Sequence, residues 1–171
     1  KGTDMFGVAD YRTSYLKGTL TPTKVIADHA QYAKTVAEKV NAISVMNPAA
    51  MIQAKASEVR YFAGMSLGPL DGVPVVVKDS YHMKGLHRWH GSAIHDGDPV
   101  SSFSSEPIRR LEEQGAIVVA KTTMPDMGML ASGISSQFGV VRNPWNTEMS
   151  PGGSSAGAGA SLASGLGAIG L

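Results

Sequence analysis

The sequence predicts an α/β layer fold with a helical front, and three observations lead there. Val73-Pro74-Val75-Val76-Val77 is a short continuous apolar run rich in β-branched residues, which reads as a strand buried on both faces. A second run, Ala116-Ile117-Val118-Val119-Ala120, follows a helix signal over 105–114 that closes at Gly115. The first 67 residues carry helical rather than alternating patterning. Strand, helix, strand in that order forms a parallel crossover unit, which collects the polar residues that follow the strands at one sheet edge.

The helical front has clear punctuation. Leu16-Lys17-Gly18 reads as a basic last turn followed by a glycine stop. Thr21 with Pro22 is a cap followed by proline at the first helical position. From there Val25, Ile26, His29, Tyr32, Ala33 and Val36 recur at steps of three and four residues, which predicts one apolar helix face to about Val40. Asn47-Pro48 repeats the cap-plus-proline signal. Ala50, Ile52, Ala54, Val59 and Phe62 are compatible with a second helix that stops near Gly64. Gly68-Pro69-Leu70-Asp71-Gly72 then marks the change to strand, and Lys78 stands at the C-terminal end of that strand.

Composition bounds the function. The chain has 171 residues, the length of one domain or of a piece of a larger one. Fifteen Lys and Arg against fourteen Asp and Glu leave a formal charge of +1, so nothing drives the chain toward nucleic acid or an anionic membrane. The absence of cysteine removes disulfide scaffolds, thiolate zinc sites, iron-sulfur clusters and cysteine nucleophiles together. Glycine contributes 20 residues, above the usual level of about 7%. From Ser150 to Leu171, seven of 22 residues are Gly, five Ser and five Ala, and no charge follows Glu148. Such a stretch is a flexible linker or a buried helix that packs through small side chains. A transmembrane helix is disfavoured, because bulk comes only from Leu162, Leu166, Ile169 and Leu171. Beginning at Lys1 with neither an initiator Met nor an apolar leader, the chain is read as lacking its original N-terminus.

Three features are candidates for chemistry. His82, His87, His90 and His95 fall within fourteen positions, and neutral imidazoles ligate zinc or copper. Their segment is irregular, with Gly85 and Gly91, so exposed loop histidines are the default reading and no metal site is expected. Gly153-Ser154-Ser155-Ala156-Gly157 satisfies the nucleophile-elbow pattern, but a turn-like segment precedes it and no histidine follows it. The third feature is Lys78 together with Pro151-Gly152-Gly153-Ser154-Ser155. A lysine at the end of a buried strand loses hydration, which lowers its pKa and lets it serve as a base toward a serine hydroxyl. Taken alone, Lys78 reads as an ordinary strand-end lysine reaching solvent.

Several blocks occur together and in order: Gly68-Pro69-Leu70-Asp71-Gly72 through Lys78-Asp79, Lys84-Gly85-Leu86, Gly115-Ala116, Ala120-Lys121-Thr122, Asn143-Pro144-Trp145-Asn146 and Pro151 through Gly157. In that order and approximate spacing they resemble the amidase signature family. The resemblance covers roughly 100 residues, from about Gly68 to the end, and implies a mixed β-sheet core flanked by helices, with residues 1–67 as a mainly helical front. It also implies a Ser-cisSer-Lys triad. Lys78 matches the lysine base, and Ser154 matches the bridging serine, whose preceding peptide bond is cis in the family. Ser155 looks like a secondary participant. Gly128 to Gly133 resembles the border of the acyl pocket, with Gly128 and Ser132 as the substrate-binding candidates.

The resemblance further implies hydrolysis of a small-molecule amide to an acid plus ammonia or an amine through an acyl-enzyme, with no cofactor and no metal. It implies a cytoplasmic protein with no direct nucleic-acid partner and no membrane, and self-association stays open. In the family the acylated serine lies in a Gly-Gly-Ser element a couple of dozen residues after Gly-Gly-Ser-Ser. The chain ends at Leu171, before such an element, so the 171 residues are expected to be a truncated piece that is inactive alone. Two other readings remain: the glutamine-hydrolysing subunit of a tRNA-dependent glutamine amidotransferase, and a noncatalytic fragment.

Overall fold

A computed structural model describes residues 6–171. Helix α1 (Val8–Lys17) ends at Gly18, whose φ of 68° is the left-handed cap that glycine adopts without Cβ strain. Helix α2 (Pro22–Val40) starts as the sequence predicts: Thr21 Oγ1 accepts from the Lys24 amide at 3.2 Å, and Pro22 occupies the first turn. Its buried face is Val25, Ile26, Ala33, Val36 and Val40.

Strand β1 (Ile43–Met46) is an element that the sequence pattern does not announce, being four residues long and only half-buried. Helix α3 (Ala50–Phe62) begins two residues later than the Asn47-Pro48 signal suggests. Asn47 is buried: its Nδ2 donates to the Val118 carbonyl at 2.7 Å, while Oδ1 accepts from the Ala49 amide, and residues 48–49 form a turn ahead of the helix. The apolar residues of α3 divide between its two faces. Ala50, Ala54 and Ser57 are buried, whereas Ile52, Val59 and Phe62 are exposed.

Strand β2 (Pro74–Lys78), helix α4 (Glu106–Glu113) and strand β3 (Ile117–Thr122) form the expected crossover unit, with Gly115 at φ 80° closing α4. Strands β2 and β3 pair in parallel. Two short strands, β4 (Ile134–Ser135) and β5 (Gly139–Val140), make a separate hairpin. Helix α5 (Ala156–Ala163) then leads into β6 (Ile169–Gly170). The main sheet has the order β1-β3-β2-β6. Its β1 edge is antiparallel and the remainder parallel, so the sheet is mixed.

Helices cover both faces. On one face Val75, Val77 and Val118 pack with Met83, Leu86, Ile108 and Ala116. On the other Val76 packs with Ala33, Val36, Val40, Ala156, Ala160 and Leu166. Each buried Val, Leu, Ile or Met side chain among these contributes about 1.5–3 kcal/mol of transfer free energy. The small-residue segment is the closely packed helix rather than a linker. A Cβ on Gly157 would stand 2.5 Å from both the Ala42 and Thr123 carbonyl oxygens, and the Gly157 amide donates to Thr123 O at 2.9 Å. Among the described residues no helix is long and apolar enough to cross a membrane.

The two parallel strands fall out of step once. Val75 lies opposite Val118 but Val76 lies opposite Ala120, so Val119 is an extra residue in β3. A bulge of this kind reverses the alternation beyond it. Lys121 therefore lies opposite Val77, on the face of Met83 and Leu86, while Lys78 and Thr122 pair with the opposite orientation.

Candidate active site

Lys78 is the last residue of β2, and its amide donates to the Leu171 carbonyl at 2.7 Å, which holds the strand end against the last turn of chain. Alternation sends its side chain toward the face shared by Val76 and helix α5. There Lys78 Nζ meets Ser154 Oγ at 2.7 Å. Partial burial pulls the lysine below its ordinary pKa, because the ammonium loses hydration.

Ser154 sits just ahead of α5, and the Gly153–Ser154 peptide bond is cis. Gly153 is required by its surroundings, since a Cβ there would lie 2.4 Å from Ser132 O, 2.6 Å from Ser132 N and 2.9 Å from Leu130 O. The backbone of Ser132 is thus stacked against the Gly153–Ser154 peptide. Gly128, at φ 69°, approaches from the other side: a Cβ on it would come within 3.7 Å of Ser154 Oγ. Gly128, Ser132, Ser154 and Lys78 are consequently gathered in one place from three separate stretches of chain. Ser155 is different. It is exposed, stands at the N-cap of α5, and its hydroxyl makes no capping hydrogen bond.

The histidines do not converge. His82 Nδ1 pairs with Ser101 Oγ at 2.9 Å, His95 Nδ1 with Asp98 at 2.7 Å, and His90 Nδ1 with the Arg88 guanidinium at 2.9 Å. His87 stacks on Trp89 with ring centroids 3.9 Å apart. Among the described residues no group of three or more histidine, aspartate or glutamate side chains is arranged to hold a metal ion.

Sequence reasoning overlooks a second lysine. Lys121 and Asp79 are both fully buried, with Nζ 2.6 Å from Oδ1, and Lys121 also donates to the His87 carbonyl at 2.9 Å. Burial draws the Lys121 ammonium below the usual lysine range, and the Asp79 carboxylate opposes that shift. The available signal was a charged residue continuing the apolar run Ala116–Ala120, in a strand that extends to Thr122.

What this arrangement can do is move protons. A partly dehydrated amine 2.7 Å from a serine hydroxyl can take its proton and return it.

A family model described as Amidase matches residues 24–171. The chain is 37% identical over 163 residues to one subunit of the glutamyl-tRNA(Gln) amidotransferase of Symbiobacterium thermophilum, an overlap of 94% of this chain and 33% of that protein. The native peptide amidase of Stenotrophomonas maltophilia superposes with a TM-score of 0.90 at 26% identity, over 96% of this chain and 35% of that one. A fatty acid amide hydrolase structure superposes with a TM-score of 0.88 at 25% identity, over 97% of this chain and 29% of that one. The chain spans about a third of the length of the curated relatives it matches.

Proposed function

The chain belongs to the amidase signature family, and from that premise we propose that the whole protein hydrolyses a small carboxylic amide through an acyl-enzyme. The observation that carries the reading is the 2.7 Å contact between Lys78 Nζ and Ser154 Oγ beside the Gly128 and Ser132 backbone. In the proposed route neutral Lys78 removes a proton from Ser154, which removes one from an attacking serine. The resemblance assigns that serine to a Gly-Gly-Ser element outside these 171 residues. Its oxygen bonds to the amide carbon, the carbon–nitrogen bond breaks, and the relay delivers the proton to the departing nitrogen. Water then adds to the acyl carbon by the same relay. Ser155 takes a secondary part, Gly128 and Ser132 border the acyl group, and a cytoplasmic setting belongs to the same proposal.

Hydroxylamine trapping tests the route. The whole protein incubated with a susceptible amide and hydroxylamine should form the hydroxamate, and Lys78→Ala should not. Hydroxamate formation at an undiminished rate in that variant would rule the relay out.

A second reading has one observation in its favour, the 37% identity to a protein named as part of a glutamyl-tRNA(Gln) amidotransferase. There the same relay would release ammonia from glutamine for a second protein of the complex. Glutaminase activity that depends on a co-purifying protein separates this reading from a free-standing amidase.

A further inference from the structure

We infer that the buried Lys121–Asp79 pair is a positioning device for Lys78, clamping the strand end from which that lysine reaches Ser154. The inference rests on the proposed amidase reading and deepens it. One ion pair and two hydrogen bonds converge on this corner. Lys121 Nζ lies 2.6 Å from Asp79 Oδ1, it donates to the His87 carbonyl at 2.9 Å, and the Asp79 amide donates to Thr122 O at 3.1 Å. Asp79 directly follows Lys78, so its carboxylate anchors the residue next to the base. The clamp exists because the extra residue Val119 re-aims Lys121 onto the face of Asp79 and the 83–87 loop. The two lysines therefore work from opposite faces of one sheet: Lys78 toward Ser154, and Lys121 beneath it.

Two features separate a positioning role from ordinary packing. Burying a fully enclosed lysine and aspartate is costly in dehydration, and apolar residues of similar volume fill such a space as stably or more so. The pair also joins three segments, the end of β2, the end of β3 and the loop at His87, at the point where Lys78 must be held to within a fraction of an ångström. The other charged groups near this corner are Arg88, whose Nε donates to the Ser80 carbonyl at 2.9 Å, and His90 beside it.

The test uses the whole protein and the variant Asp79→Leu/Lys121→Met, which removes both charges and leaves neither unpaired. Thermal unfolding should occur within a few degrees of the parent or above it. The kcat for amide hydrolysis should fall about ten-fold or more, with KM changed by less than about three-fold. A stably folded double variant with kcat within about two-fold of the parent overturns the inference. Should that protein fail to fold, the isosteric Asp79→Asn decides: about a five-fold loss of kcat at unchanged KM supports positioning, and an undiminished kcat refutes it. Lys78→Ala is measured alongside. If that variant keeps full activity, the amidase reading itself falls, a result distinct from failure of the clamp.

Discussion

Lys78 Nζ and Ser154 Oγ lie 2.7 Å apart although 76 positions separate the two residues in the chain. Strand β2 delivers the amine and the turn before α5 delivers the hydroxyl, so the contact depends on how α5 seats on the sheet. That dependence makes the first expectations specific.

In the whole protein, Lys78→Ala should lower kcat/KM by about a thousand-fold or more, the scale for losing the base of a nucleophilic relay. Circular dichroism and thermal unfolding should stay close to the parent, since Lys78 is only partly buried. Steady-state kinetics on any amide that the parent cleaves provides the check.

The two neighbouring serines should separate. Ser154→Ala removes the hydroxyl that Lys78 reaches and should cost about a hundred-fold or more in kcat. Ser155→Ala removes an exposed hydroxyl without a capping bond and should cost less than about ten-fold. Equal losses in the two variants would contradict the arrangement in which Ser154 alone bridges.

The pH dependence follows from burial of Lys78. Its amine is pulled below the ordinary lysine value of 10.5, so the neutral, proton-accepting form is reached at lower pH than for an exposed lysine. The kcat/KM of the whole protein should therefore rise with pH on one limb, centred below 10.5, and level off above it. The folded state binds fewer protons at Lys78 than the unfolded state between the two pKa values. This group's contribution to stability consequently improves as pH rises through that window. A pH–rate profile with no ascending limb would count against Lys78 as the base.

Acid stability should depend on Asp71. Burial by itself raises this carboxyl, but the Arg60 guanidinium at 2.5 and 2.9 Å, the Leu67 amide and Ser57 together hold it below the ordinary aspartate value. A depressed folded pKa contributes stability above the unfolded value of 3.8 and loses it as pH falls toward the folded one. Asp71→Asn should cost about 3 kcal/mol at neutral pH by leaving Arg60 without its partner. It should also flatten the acid limb of stability measured by urea unfolding at pH 3–7.

Gly157→Ala should destabilise the fold by about 1–3 kcal/mol or more, because the new methyl would press on the Ala42 and Thr123 carbonyls rather than on movable side chains. It should also lower kcat, since α5 carries Ser154 at its head. Gly159→Ala is the matched control, with open space at the corresponding position, and should be neutral or slightly stabilising. Urea unfolding of both variants distinguishes them.

Local chemistry determined much of this protein from sequence alone. Thr21-Pro22, Gly18 and Gly115 act through their own backbone preferences, so the end of α1, the start of α2 and the end of α4 were legible without knowledge of their neighbours. The β-branched runs that became β2 and β3 were equally plain, and the ordered blocks from Gly68 to Gly157 pointed to Lys78 and Ser154. Tertiary structure decided what no short window contains. Strand β1 is four residues whose pairing with β3 makes it a strand, and the Val118 carbonyl of β3 pins Asn47 ahead of α3. Which apolar residues of α3 face inward depended on what packs against it, and Ile52, Val59 and Phe62 stayed outside. The clamp is the clearest case. In sequence Lys121 is one lysine among several, and only the one-residue slip at Val119 turns it inward onto Asp79. A strand's side-chain direction follows its pairing register, and register is a property of two strands together, not of either sequence by itself.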